Sequence, residues 1–282
     1  MAVIERRLAM APRRLRRDSP MVAGDGIPPP APTTDPIPCA STERNGDFPW
    51  DEFDSQWYYE HNYKVLRDDD LQIIQAVRDF FATLDPSSRR SGIDVGSGPN
   101  LYPALTMLPL CREITLYEYS TSNVSWLRRE IRSYSSSWDA FWKSLTVEPL
   151  YKSVDSPRET LAAVARVEQG SIFGLPESRW DIGTMFFAAE SISATLSEFR
   201  AALRSFIASL RTGAPFTAAF MEDSLGYSVG ARRFPAVAIT AKDVEESLAA
   251  HTDDLEVHRV DLAKKPLRDG YGGMILATGR VA

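Results

Sequence analysis

Two cysteines in 282 residues, Cys39 and Cys111, supply neither a disulfide framework nor a metal-ligand spacing. The three histidines, His61, His251 and His258, are scattered, so no metal centre is expected. These scarcities point to a reducing, cytoplasmic setting. No apolar run approaches the roughly 18 to 20 residues of a membrane helix, so membrane spanning is set aside. A cleaved signal peptide fits poorly, because the N-terminus lacks an apolar core of about seven residues or more. Positive charge is scarce as well. The net charge is −6, and residues 1–17 alone hold six Arg against one Glu, which leaves the rest of the chain at −11. An acidic body argues against binding nucleic acid over a broad surface, where Lys and Arg make most phosphate contacts. No internal repeat is visible.

What is present falls into two parts. Residues 1–46 are basic and then proline-rich, with seven of the nineteen prolines between positions 20 and 38. A disordered segment with an extended linker is expected there. One folded domain is expected over 47–282, with the ordinary apolar content of a globular protein, 44 %.

The domain opens with an unusually aromatic stretch, Phe53-Asp54-Ser55-Gln56-Trp57-Tyr58-Tyr59-Glu60-His61-Asn62-Tyr63. As a helix it packs on the core or lids a ligand over 50–67, and tyrosine, with an apolar body and a polar tip, suits both. Asp68-Asp69-Asp70 then offers an N-cap and first-turn charge to a helix whose apolar stripe is Ile73, Ile74, Val77, Phe80, Phe81 and Leu84. Strands are expected at 91–95, 113–119, 180–187, 215–221, 255–261 and 273–281, and helices at 121–134, 157–166, 199–210 and 240–250. Such alternation predicts an α/β fold with a mostly parallel sheet covered on both faces. The last two strands are joined by a connection too short for a helical crossover, which predicts an antiparallel hairpin.

The chain is organised around Ile93-Asp94-Val95-Gly96-Ser97-Gly98-Pro99-Asn100-Leu101-Tyr102, a strand, a glycine turn and a helix start. Backbone N–H groups exposed at such a turn suit a ligand bearing oxygen or charge. The third glycine of the dinucleotide fingerprint is missing, because Leu101 stands in its place. Glu118 closes the next strand, twenty residues beyond Gly98, where a carboxylate can accept both hydroxyls of a ribose. The pattern fits an S-adenosylmethionine site, which has no pyrophosphate to accommodate. In an open α/β sheet the ligand lies at the carboxyl ends of the strands, so the turn, Glu118 with Tyr119, the residues after Phe187, and Glu222 with Asp223 should converge. Asn123 either reaches the cofactor or caps its own helix.

Phe53-x4-Tyr58-x4-Tyr63, Asp94-x-Gly96-Ser97-Gly98-Pro99-x2-Tyr102 and Glu118-Tyr119-Ser120-x2-Asn123 resemble the nicotinamide, phenylethanolamine and thioether methyltransferase family. The resemblance runs from about Phe53 to the C-terminus. It implies a Rossmann-like class I methyltransferase fold with a seven-stranded sheet, an antiparallel C-terminal hairpin and an N-terminal helical lid. It implies that Tyr58, Tyr63 and Tyr102 wrap the methionine half of S-adenosylmethionine, that Gly96 lines it, and that Glu118 holds the ribose and Asn123 its neighbouring atoms. Asp94, Ser97, Gly98, Tyr119, Ser171 and Ile172 complete the implied cofactor set. Tyr58 would also close over the acceptor, and Glu190 and Glu222 match positions that touch an amine substrate. Three departures stand out: Ser171 where the family has an acidic residue, Phe186 where a small Thr is expected near the acceptor, and Glu222 one methylene longer than an aspartate. They argue against nicotinamide itself as the acceptor.

The function expected is methyl transfer from S-adenosylmethionine to a small molecule, an amine nitrogen first, in specialised metabolism. Transfer to carbon or oxygen uses the same cofactor pocket. A non-catalytic adenosine-binding protein is the alternative of another class, weakened by the intact Gly96, Gly98 and Glu118. A nicotinamide-dependent oxidoreductase is disfavoured by the missing glycine. Glu190 or Glu222 would serve as proton acceptor or as an anchor for a cationic substrate.

Overall fold

The structure, a computed structural model, describes residues 44–260 and 270–282. The basic, proline-rich stretch lies outside the described residues up to position 43, as does most of the connection between the last two strands. No helix among the described residues is long and apolar enough to cross a membrane.

Helix α1 (Ser55–Asn62) is capped by the Asp54 carboxylate, which accepts from Trp57 N. Helix α2 (Asp68–Ala82) follows, and its stripe of Ile73, Ile74, Val77 and Phe81 is fully buried. Burying each such side chain contributes about 1.5 to 3 kcal/mol, so this face fixes α2 on the sheet. Then come β1 (Arg90–Val95), α3 (Tyr102–Met107), β2 (Cys111–Glu118) and α4 (Thr121–Glu130). Helices α5 (Trp138–Leu145), α6 (Pro149–Lys152) and α7 (Pro157–Val164) lead into β3 (Ala165–Gln169). The rest of the chain is β4 (Ile182–Phe186), α8 (Leu196–Ser209), β5 (Pro215–Glu222), β6 (Tyr227–Val229), β7 (Arg232–Phe234), α9 (Ala241–Leu248), β8 (Thr252–Val260) and β9 (Gly273–Val281).

The strands form one seven-stranded sheet in the order β3-β2-β1-β4-β5-β9-β8. The first five run parallel, and β9 is antiparallel to both of its neighbours, pairing Phe220 with Ile275 and Val260 with Met274. One face packs α2, α3 and α5 through Ile73, Leu105, Trp138 and Phe141, and the other packs α8 and α9 through Phe199, Phe206 and Val244. The expected hairpin and the mostly parallel sheet are therefore present.

Three features depart from expectation. The helix expected to reach residue 166 ends at Val164, and Ala165–Gln169 becomes an edge strand, with Leu116 opposite Val167. Pairing along β2 outweighs the local helical tendency of that stretch. The short β6–β7 hairpin was not anticipated; its three-residue strands carry little periodicity. It buries Val229 and Phe234 against Trp50 and Phe53, which ties the N-terminal aromatics to the sheet. Arg67, not an aspartate, occupies the N-cap of α2, with no side-chain cap bond.

Candidate functional site

The carboxyl ends of β1, β2, β4 and β5 open into one crevice. At its centre, Gly96 holds φ +66° and Gly98 φ +52°, the left-handed region that glycine enters without strain. A Cβ at Gly96 would stand 2.5 Å from that of Ala188, so the backbone there must stay bare. Glu118 ends β2 almost fully buried. Its Oε2 accepts from Gly98 N at 2.8 Å, and Oε1 accepts from Tyr119 N and Ser120 N, each at 2.9 Å. Burial raises its pKa, while these backbone N–H groups and Asn123 favour the ionised form. The same carboxylate thus closes the glycine turn and faces the crevice.

Asp94 lies inside the strand. Its Oδ1 accepts from Thr184 Oγ1 at 2.7 Å, and burial, together with the charge of Glu118, pushes its pKa up to about 7 despite that bond. It does not line a cavity. Ser120, not Asn123, caps α4. The Asn123 side chain instead accepts from Ser55 Oγ of α1 at 2.7 Å. Ser120 Oγ donates to Trp50 O at 2.7 Å, and Asp51 accepts from Thr121 N at 2.8 Å. The N-terminal segment is therefore stitched to the start of α4.

Two cavities meet here. The first, about 840 Å³, is bounded by the glycine turn, Glu118, Tyr119, Asn123, Ser171 and Ile172, with Trp50 and Phe53 above. The second, about 980 Å³, lies under α1 and is bounded by Trp57, His61, Asn62, Asp70, Met221 and Met274. Tyr58, Tyr63, Phe187, Ser191 and Tyr227 line both, so they form a shared partition. Phe187, just past the end of β4, holds φ +56°, a conformation a bulky residue rarely adopts; its N–H donates to Ala219 O at 2.7 Å. Tyr58 packs against Phe53, Tyr63 and Tyr227, with ring centres 5.1 to 6.2 Å apart.

The remaining expected residues lie behind these walls. Tyr102 is buried, stacked on Phe141 and edge-on to Tyr63 and Phe186, and lines neither cavity. Glu190 is fully buried, and its Oε1 accepts from Met221 N at 2.9 Å. Glu222 is ion-paired with Arg259 of β8, Nε to Oε2 2.6 Å. Neither glutamate lines a cavity. The Ser171 hydroxyl accepts from Phe173 N at 3.3 Å and opens on the first cavity. Sequence reasoning missed Trp50, Ser191, Tyr227 and Asp70 as wall residues. For Tyr227 the only signal was an aromatic residue soon after a strand-end acid. No group of His, Cys, Asp and Glu that could hold a metal occurs among the described residues.

The model of the NNMT/PNMT/TEMT family matches residues 45–271. An indolethylamine N-methyltransferase of Oryctolagus cuniculus is 26 % identical over 185 residues, 58 % of this chain and 66 % of that protein. A phenylethanolamine N-methyltransferase of Sus scrofa is 25 % identical over 245 residues, 78 % of this chain and 84 % of that protein. Among solved structures, a Burkholderia thailandensis 1,6-didemethyltoxoflavin-N1-methyltransferase is 18 % identical with a TM-score of 0.44, over 76 % of this chain and 80 % of that one. The fold assignment rests on the strand order given above.

Proposed function

The chain belongs to the NNMT/PNMT/TEMT family and is an S-adenosylmethionine-dependent methyltransferase, and from that premise we propose that it methylates the nitrogen of a small aromatic amine. The observation that carries this reading is the pair of cavities sharing a partition of Tyr58, Tyr63, Phe187, Ser191 and Tyr227. The two N-methyltransferase relatives, by name enzymes of indolethylamine and phenylethanolamine, support an arylalkylamine.

The first cavity fits the cofactor, because bare backbone at Gly96 and a buried carboxylate at Glu118 leave a cradle for a nucleoside. Glu118 would accept from the ribose hydroxyls, the Ser171 hydroxyl and Ile172 would meet the adenine, and Tyr58, Tyr63 and Asn123 would border the methionine half. S-adenosylmethionine, when bound, supplies an electrophilic methyl group on a sulfonium. The chain's own part is to align and desolvate. The aromatic partition would exclude water and align the acceptor lone pair with the methyl group that the bound cofactor supplies. Glu190, through Met221 N, and Glu222, through Arg259, stiffen the end of β5 behind the acceptor.

The test is calorimetric titration of the full chain with S-adenosylhomocysteine, followed by methyl-transfer assays with aromatic amines and their matched alcohols. Saturable binding and methylated amine are expected. Absence of binding at millimolar concentration removes the cofactor site, and methylated alcohol in place of amine removes the nitrogen reading. Binding without transfer to any acceptor would make the chain an adenosine-binding protein.

A further inference from the structure

The first turn of α2 carries three aspartates with three different fates. Asp68 is exposed. Asp69 is buried and ion-paired, its Oδ1 3.1 Å from Arg67 Nε and its Oδ2 3.2 Å from Arg67 Nη2. Asp70, 3 % exposed, turns the other way and lines the second cavity with Tyr58, Tyr63, Met221 and Met274. It is the only carboxylate among the described residues lining that cavity.

We propose that Asp70 is the group that receives the acceptor amine, accepting an N–H hydrogen bond from it and then taking its proton. The inference rests on the N-methyl-transfer reading above and adds the proton acceptor to it. In the balanced step the sulfur–methyl bond breaks as the nitrogen–methyl bond forms, and positive charge passes from sulfur to nitrogen. The nitrogen then gives its proton to the Asp70 carboxylate, and the neutral methylated amine leaves beside S-adenosylhomocysteine.

Three observations converge on this residue. Of the other acids at the crevice, Glu118 lines the first cavity and is held by the N–H groups of Gly98, Tyr119 and Ser120, Glu190 accepts from Met221 N and Glu222 pairs with Arg259; none of the three lines the second cavity. Asp70 also lines the same cavity as Tyr63, a residue of the partition, whose phenol is raised by burial, then by Tyr58, and then by the charges of Asp70 and Glu190. Finally, burial, reinforced by the neighbouring Asp69 charge, moves the Asp70 carboxyl up to about 7, while Tyr102 and Arg67 pull the other way. A proton acceptor works best when its pKa lies near the working pH. The groups facing it are Asp69 and Arg67 on α2, Tyr63 and Tyr102 beside it, and His61 across the cavity.

The probes are 2-phenylethylamine and its neutral analogue 2-phenylethanol, titrated into the full chain saturated with S-adenosylhomocysteine. The wild-type complex is expected to favour the amine by about thirtyfold or more, from a charge-assisted hydrogen bond. Asp70→Asn is expected to erase that preference while binding the alcohol as before. It should also lower kcat/KM for amine methylation about a hundredfold or more, with the S-adenosylhomocysteine affinity within twofold. Loss of alcohol binding and cofactor binding together would mark a folding defect; Asp70→Glu, which keeps the charge, must then restore amine preference, and its failure to do so overturns the proposal. A wild-type enzyme that methylates amines while Asp70→Asn keeps both preference and kcat/KM overturns the role of Asp70 alone. A wild-type enzyme that methylates no amine overturns the reading on which it rests.

Discussion

Ser55 Oγ, at the start of α1, donates to Asn123 Oδ1 at 2.7 Å, and Asn123 in turn faces the Glu118 carboxylate. The first residue of α1 and the acid at the end of β2 are thus two hydrogen bonds apart, so the position of the helix and the setting of Glu118 are coupled locally.

That linkage predicts that Ser55→Ala weakens S-adenosylhomocysteine binding by about 0.5 to 1.5 kcal/mol, the net worth of one hydrogen bond. The thermal midpoint should move little. Calorimetry beside a melting curve checks this; equal losses in both would make Ser55 a packing residue.

Glu118→Ala should cost cofactor binding about 1.5 to 3 kcal/mol, as for hydrogen bonds to a charged group. The three N–H donors at Gly98, Tyr119 and Ser120 would lose their acceptor at the same time. An unchanged dissociation constant would remove Glu118 from the site.

Gly96→Ala introduces two separable faults, a positive φ of +66° and a contact of 2.5 Å with the Ala188 Cβ. It should destabilise the protein by roughly 1 to 3 kcal/mol and weaken cofactor binding. Ala188→Gly in the same chain relieves only the contact. A denaturant midpoint for the double variant lying between wild type and Gly96→Ala is the expected outcome.

Asp94 carries a pH signature. Its folded pKa of about 7 stands above its ordinary 3.8, so between these values the folded state holds a proton that the unfolded chain has lost. Its contribution to stability is therefore full below about pH 4 and is lost as pH rises towards 7 and beyond. Asp94→Asn should flatten that fall while keeping an oxygen for the Thr184 hydroxyl. Denaturant midpoints from pH 4 to pH 8 measure the slope in both proteins.

Tyr58→Phe keeps the ring contacts with Phe53, Tyr63 and Tyr227 and removes only the hydroxyl. Turnover should fall about tenfold, with a shift of the melting midpoint of a few degrees at most. A parallel loss of stability would favour plain packing.

How much of this was legible depends on the distance over which each feature is decided. Gly96, Gly98 and Glu118 could be read because a turn and a strand end are local, and their chemistry leaves few uses for those residue types. The antiparallel end of the sheet could be read from the brevity of one connection. By contrast, β3 competes with a helix whose last turn it borders, and only the register with β2 decides between them. Glu190 and Glu222 stand at strand ends as expected, yet what engages them, Met221 N and the guanidinium of Arg259, belongs to other parts of the fold. Asp70 read as helix charge because its place in the Asp68-Asp69-Asp70 run fits a helix start, and the cavity it borders is completed by residues far along the chain. That cavity is closed by Tyr227 and Met274, from far along the chain.

The reach from Trp57 to Met274 across one cavity has a consequence for synthesis. The second cavity draws on both α1 and β9, and β9 lies between β5 and β8 in the sheet. A nascent chain can lay down the glycine turn and Glu118 early, but that cavity stays unfinished until β9 has left the ribosome.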